Sequence, residues 1–142
     1  MTPDGLTLFA TIILVFPMFY FLLAAPAFLL VKLDIPAVTQ LLRGLFNAHF
    51  LTMSIVGVIG TVVYAVAGRL VFALAIGLMA AFAVWARRWF LRQMDLQLSA
   101  REAGDADAVR RLRRLHLGGM LSNAIQLAAV VGSIPYIMVT SI

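Results

Sequence analysis

The sequence predicts an all-α membrane protein: four transmembrane helices in an up-down bundle, with helices 3 and 4 extended into a cytoplasmic helical hairpin. Composition is the first reason, since the 142 residues are 63% hydrophobic and only 12% charged, with a mean hydropathy of +1.03. Soluble domains carry about 25% charged residues. The second reason is that the apolar residues form four long runs, and the third is that basic residues cluster at the edges of these runs.

Each of the four runs is close to the roughly 20 residues that cross about 30 Å of hydrocarbon. They cover residues 6–31, 45–67, 70–90 and 115–137, within a single transmembrane domain spanning residues 1–142. The N-terminal region before the first run has no Lys or Arg and contains Asp4, unlike a secretory signal peptide, so we expect a retained helix.

Prolines and possible caps predict the helix boundaries. Pro17 and Pro26 predict irregularity in the first helix, because each removes a backbone donor. Asp34-Ile-Pro36 predicts an N-cap followed by a proline in the first turn of the second helix, which would then begin near Pro36. The third helix meets no breaker until Gly104, and an aspartate shortly after it is expected to cap the fourth.

Lysine and arginine predict the orientation. Lys32 and Arg43 follow the first run, and eight arginines lie from the end of the third run to the start of the fourth, whereas only Arg69 lies on the opposite side. Cytoplasmic loops carry such an excess. We therefore expect a bacterial inner-membrane protein with both termini outside and residues 91–114 as the cytoplasmic hairpin. The clustering indicates topology rather than a nucleic-acid surface.

The basic edge of this hairpin is either an ordinary solvated surface or a docking surface for anionic lipid or a partner subunit. The candidate residues are Arg87, Arg88, Arg110, Arg111, Arg113 and Arg114.

The predicted spans contain no Asp, Glu or Lys, and their only arginines are Arg87 and Arg88 near the end of the third, which argues against a proton-relay pump and against carboxylate metal sites. Cysteine is absent, which excludes disulfides and thiolate sites. No catalytic motif is present.

The leading interpretation is a non-enzymatic protein, either an accessory subunit or a protein that binds an apolar ligand or lipid. It would act in a homo-oligomer or in a larger membrane complex. The alternative is a redox protein or oxygenase-like enzyme.

Two histidines near the cytoplasmic edge define a candidate ligand pocket. Helical periodicity places Met53, Gly60 and Tyr64 on the face of His49, and it places Gly119, Met120 and Asn123 on the face of His116. Three interpretations remain open. The histidines bond to backbone or headgroups; they line a pocket for a quinone or polycyclic phenolic molecule; or they are the axial metal ligands of haem b, with the nearby glycines giving room. We expect no cofactor, with haem b as the alternative.

Several motifs resemble those of the anthrone-oxygenase-like small four-helix membrane proteins. They are Ala25-Pro26-Ala27, Asp34-Ile-Pro36, Arg43-x-Leu-Phe46, a basic stretch after the third run, and Arg113-Arg-Leu-His116. The resemblance covers most of the chain and implies a four-helix bundle. For a minority of the group it also implies cofactor-independent oxidation of polycyclic phenols. This chain has Gly118-Gly119-Met120 where the group tends to have a basic residue, so no catalytic role is transferred.

Overall fold

The computed structural model describes residues 3–139, with side chains for residues 5–137. Over this range the chain is all-helical and contains no strand. The α-helices are α1 (Pro3–Ala24), α2 (Pro36–Val66), α3 (Leu70–Glu102) and α4 (Ala108–Val139), and a 3-10 helix, Ala25–Leu30, directly follows α1. All four α-helices are long and apolar enough to cross a membrane, which confirms the prediction of four such helices.

The first helical segment changes type at Pro26. The α-helix ends at Ala24, and the chain continues as a 3-10 helix before it becomes extended at Val31. Proline has no backbone N–H to donate to the carbonyl four residues earlier, so a regular α-helix is interrupted here. The irregularity predicted at Pro26 is confirmed, whereas Pro17 lies within α1. The carbonyls at the end of the 3-10 helix therefore need partners from elsewhere.

The second helix begins at Pro36, as expected, but its predicted cap is wrong. The N-cap residue is Ile35, which is extended as residues before proline usually are, and Asp34 makes no cap. Within the first turn the Thr39 hydroxyl donates to the Pro36 carbonyl at 2.9 Å, which caps none of the free N–H groups. Because α2 starts well before its apolar run, His49 lies about 20 Å along the helix axis from Pro36, at about 1.5 Å per residue.

The third helix continues beyond its apolar run, as predicted, and ends before a glycine turn. Gly104 has a φ of +92°, a left-handed conformation that favours glycine. Asp105 then accepts a hydrogen bond from the Asp107 N–H at 2.9 Å, and α4 begins at Ala108. Asp105 thus organises the turn before α4, and because the N–H that it accepts from precedes the helix, a cap on α4 by Asp105 or Asp107 stays a prediction.

Small residues allow the most extensive helix packing, which is between α2 and α3. A Cβ atom added at Gly57 would lie 2.8 Å from the Ala80 Cβ, and one added at Gly60 would lie 3.3 Å from a methyl group of Ile76. Close approach through small residues is typical of membrane helices. The first helix packs against α2 and α4, and α3 also packs against α4, so every helix contacts two neighbours.

Large apolar side chains cover the outer surface of all four helices. Phe16, Val66, Leu74 and Leu121 are examples, and each is more than 60% exposed. An aqueous surface of this kind would be an aggregation hazard, whereas lipid acyl chains solvate it well. The fold therefore separates a buried interior from an exterior suited to lipid.

Candidate functional site

One face of α4 bonds to the backbone of the first helical segment. This face carries Arg113, His116 and Asn123, whose spacing of three and seven residues aligns them along the helix. The His116 Nε2 donates to the Ala25 carbonyl at 2.7 Å, and the Asn123 Nδ2 donates to the Met18 carbonyl at 2.9 Å. Both side chains are buried. We call these three residues the α4 seam.

Arg113 completes the α4 seam by capping the 3-10 helix. Its guanidinium donates to the Phe28 carbonyl at 2.5 Å and to the Val31 carbonyl at 2.8 Å. Its Nη1 also lies 3.4 Å from the His116 Nδ1. A guanidinium can only donate, so Nδ1 is the acceptor and Nε2 carries the proton that bonds to Ala25. Arg113 thus fixes the histidine tautomer that the seam requires.

The two histidines are linked by a row of aromatic rings. His49 stacks on Phe21 with ring centroids 4.1 Å apart, and Phe21 meets the edge of Phe46 at 5.3 Å. Phe46 in turn meets the His116 ring at 6.4 Å. The rings therefore occupy the space between the imidazoles.

The predicted pocket glycine, Gly119, makes room for Phe46. Any Cβ at position 119 would overlap the Phe46 ring, which is fully buried. At the neighbouring Gly118 a Cβ would meet nothing within 4 Å. Gly119 thus serves close helix packing rather than giving room to a haem, whereas Gly118 contacts no neighbouring helix.

A haem held by both histidines does not fit this arrangement. Axial ligation would need a ring nitrogen from each histidine to face a common space. The His116 Nε2 bonds to Ala25 and its Nδ1 faces Arg113. The rings of Phe46 and Phe21 lie between His116 and His49. We therefore propose no haem at this site.

The other predicted pocket residues lie in separate places. The buried Tyr64 hydroxyl is hydrogen bonded to the Thr11 hydroxyl, which itself donates to the Thr7 carbonyl at 2.7 Å. Met53 is buried in the core and Gly60 packs against α3. Met120 and Asn123 line a shallow cavity of about 290 Å³ beside Phe21 and Leu22. The candidate residues therefore do not enclose a single pocket.

His49 differs from the α4 seam because it has no hydrogen-bond partner in the described part of the chain, where ring contacts are its only recorded side-chain interactions. Every fully enclosed side-chain nitrogen or oxygen described there does have a partner. The polar edge of His49 must therefore reach the surface of the cavity that it lines.

That cavity, of about 130 Å³, also contacts Pro17, Tyr20 and Thr52. The same three residues line an adjoining groove of about 480 Å³ between α1 and α2. Tyr20 and Thr52 are exposed on the outer surface of the protein. We call this pair of spaces the α1–α2 groove.

The six arginines expected to form one basic surface divide into paired and unpaired side chains. Arg113 belongs to the α4 seam, Arg87 donates to Asn47 at 2.8 Å, and Arg110 lies 3.7 Å from Asp107. Arg88 and Arg114 are exposed and have no partner among the described side chains.

The sixth arginine, Arg111, pairs with Asp105 in the turn between α3 and α4 and donates to Gln97 at 2.7 Å. Hydrogen bonds from the Asp107 N–H and from Arg111 lower the pKa of the Asp105 carboxyl below its ordinary value. Asp105 is therefore held ionised by the geometry of this turn.

Arginine bonds to backbone carbonyls recur outside the α4 seam. Arg101 donates to the Leu33 carbonyl at 2.9 Å, which fastens α3 to the connection between α1 and α2. Arg69 donates to the Ile137 carbonyl at 2.5 Å at the opposite end of the bundle. Arginines counted in the sequence as topology signals thus also hold helix ends together.

No family model, curated protein or solved structure matches this chain. The resemblance to the anthrone-oxygenase-like group stays a prediction.

The sequence-based site omitted the residues that define the groove and the acceptors of the seam. Tyr20 and Thr52 were visible as polar residues within spans, and their proximity to His49 depends on how α1 packs on α2. The Ala25 acceptor had one signal, Pro26, because a proline-broken helix leaves carbonyls that need donors.

Proposed function

We propose that the protein is a non-enzymatic membrane protein that binds a flat, quinone-like molecule in the α1–α2 groove. The observation that carries the proposal is the buried His49, whose polar edge opens into the groove without a partner from the described residues. An unpaired polar group in apolar surroundings costs several kcal/mol, roughly 2–7 depending on the reference state. A ligand that supplies the missing hydrogen bond removes this cost.

The chemistry of the groove favours an aromatic carbonyl or phenolic head with an apolar body. An imidazole both donates and accepts, as do the hydroxyl groups of Tyr20 and Thr52, so a quinone carbonyl or a phenol finds complementary groups. The remaining walls are apolar, with Phe16 and Val56 beside the larger space. Mostly apolar walls with a few converging polar groups are typical of small-molecule sites.

The proposed role is accessory, since no hydrogen bond pairs His49 with the Thr52 or Tyr20 hydroxyl as a base with a nucleophile. The groove lies on the outer surface of two helices that suit a bilayer, so a hydrophobic ligand would enter sideways from the lipid. The protein would hold such a ligand for a membrane partner or for a second copy of the chain.

The proposal includes an up-down bundle in a bacterial inner membrane, with both termini in the periplasm and the α3–α4 connection in the cytoplasm. Support comes from the ten basic residues on one side of the predicted spans against Arg69 on the other. The chain has no cysteine, so single cysteines report cleanly on sidedness. A membrane-impermeant maleimide should label Ala67→Cys in intact spheroplasts and label Ala106→Cys only after lysis. The reverse pattern would overturn the orientation.

Ligand binding is tested with a decyl-substituted benzoquinone added to the purified protein in nanodiscs, followed by tyrosine and tryptophan fluorescence. Wild-type protein should bind this probe and not decylbenzene, which has the same apolar tail without carbonyls. His49→Phe keeps an aromatic ring against Phe21 and removes the polar edge. It should weaken binding about tenfold, the equivalent of one hydrogen bond of about 1.4 kcal/mol.

The matched control is Ser54→Ala, because the Ser54 hydroxyl donates to the Phe50 carbonyl of its own helix at 2.7 Å. This variant should bind the quinone as wild type does. Equal binding by His49→Phe and wild type, or equal binding of the two probes, would contradict the proposed function.

A further inference from the structure

A second cleft, between α3 and α4, combines cationic and apolar walls. It has a volume of about 370 Å³ and lies where the arginines of α4 give way to apolar residues. Arg111, Arg114 and Gln97 line one part, and Trp89, Leu115 and Gly118 line another. The α1–α2 groove shares none of these residues, so this cleft is independent of the proposed ligand site.

The cationic part retains open donors. Arg114 is exposed and has no partner among the described side chains, so its guanidinium is available. The Arg111 Nε donates to Gln97 and its Nη2 donates to Asp105, whereas its Nη1 makes no hydrogen bond to a described residue. Asp105 is the carboxylate that bonds to Arg111 here, and the two guanidinium groups together carry more charge than this one carboxylate. Guanidinium forks match the oxygen geometry of phosphate.

The apolar part has room for an acyl chain. No atom lies within 4 Å of a Cβ built at Gly118, so the helix surface is open there, beside Leu115. Trp89 lies where the cationic and apolar parts of the cleft meet. Tryptophan is enriched at the membrane–water interface, where such a change from polar to apolar surroundings occurs. An occupant that satisfies both parts has an anionic head and an apolar tail.

We propose that the α3–α4 cleft binds an anionic phospholipid, with its phosphate between Arg111 and Arg114 and one acyl chain along Trp89, Leu115 and Gly118. Charge complementarity favours this occupant. Residues 87–114 contain eight arginines and four carboxylates, and basic segments next to membrane helices attract anionic headgroups.

The experiment measures quenching of Trp89 by phospholipids with brominated acyl chains. The protein carries Trp85→Phe, so that Trp89 is the remaining tryptophan. It is reconstituted in vesicles of phosphatidylcholine with a minor fraction of brominated phosphatidylglycerol or, separately, brominated phosphatidylcholine. Brominated phosphatidylglycerol should quench Trp89 with an apparent affinity about tenfold higher or more, because two arginines contribute about 1 kcal/mol each. Arg114→Gln should lower this preference about fivefold, the effect of one arginine near an anionic surface.

Arg88→Gln is the matched control, since it removes the same charge from an exposed arginine that does not line the cleft. It should leave most of the preference intact. Gly118→Leu, whose Cβ would meet nothing within 4 Å, should fill the acyl path and also reduce quenching by phosphatidylglycerol.

Three outcomes would overturn the proposal. They are equal quenching by the two lipids, an equal loss in Arg88→Gln and Arg114→Gln, and displacement of the lipid by millimolar inorganic phosphate, which would indicate a site for free phosphate instead.

Discussion

His116 of α4 and Ala25 at the start of the 3-10 helix are joined by a 2.7 Å hydrogen bond from Nε2 to the backbone carbonyl. The imidazole is fully buried, and Arg113 holds it in the tautomer that donates. This bond ties the last helix to the place where Pro26 interrupts the first one. The histidine that looked like a ligand-binding residue is thus assigned to the stability of the bundle.

Replacing His116 with leucine should therefore destabilise the protein by about 1–2 kcal/mol, because the Ala25 carbonyl loses its donor within the bundle. His49→Leu should cost less, since His49 loses no hydrogen bond among the described residues. Reversible unfolding of both variants in mixed micelles, followed by circular dichroism, measures the difference. If His49→Leu is the more damaging change, the assignment of the two histidines is wrong.

Arg113→Lys should also destabilise, by about 1 kcal/mol, although it conserves charge. The guanidinium reaches two carbonyls at once, and a lysine ammonium does not reproduce that fork. Arg114→Lys is the control, since Arg114 is exposed and next in the chain, and its effect should be within about 0.5 kcal/mol of zero. The same unfolding measurement applies, and equal effects would show that Arg113 acts only as a charge.

Adjacent glycines in α4 should respond oppositely to alanine. Gly119→Ala places a methyl group against the Phe46 ring and should destabilise by about 1–3 kcal/mol. Gly118→Ala meets open space and should stabilise the helix by up to about 1 kcal/mol. Combining Gly119→Ala with Phe46→Leu should recover part of the loss, and a strictly additive double variant would rule out this contact.

The Asp105 carboxyl should titrate below its ordinary pKa of 3.8, because the Asp107 N–H and Arg111 both stabilise the charged form. A lowered pKa in the folded state means that this stabilisation is complete above the unfolded value and is lost as the pH falls through the folded value. Carbon-13 NMR of the carboxyl group in micelles measures the midpoint. Arg111→Gln should raise it, whereas Arg110→Gln, which removes the partner of Asp107, should not.

The helices followed from the sequence because run length and composition are local properties. The turn at Gly104 was equally readable, since few other residues adopt its backbone conformation. The start of α2 at Pro36 also followed from the sequence, but its cap did not, since Ile35 took the place predicted for Asp34.

The site was harder to predict because its acceptors are backbone carbonyls, which every residue has. Periodicity placed His116 and Asn123 on one face correctly, but no pattern in the sequence specified Ala25 and Met18 as their partners. The separation of His49 from that face depends on the Phe21 and Phe46 rings, whose positions follow from three-dimensional packing.

The α4 seam donates to backbone carbonyls of a segment that is synthesised long before α4. The carbonyls of Ala25 and Phe28 precede their donors, His116 and Arg113, by 91 and 85 residues, so during synthesis they have no donor from α4 until that helix emerges. Until then water or lipid headgroups must solvate that end of the segment. A polypeptide that stalls before residue 113 therefore leaves these carbonyls without the donors that α4 supplies.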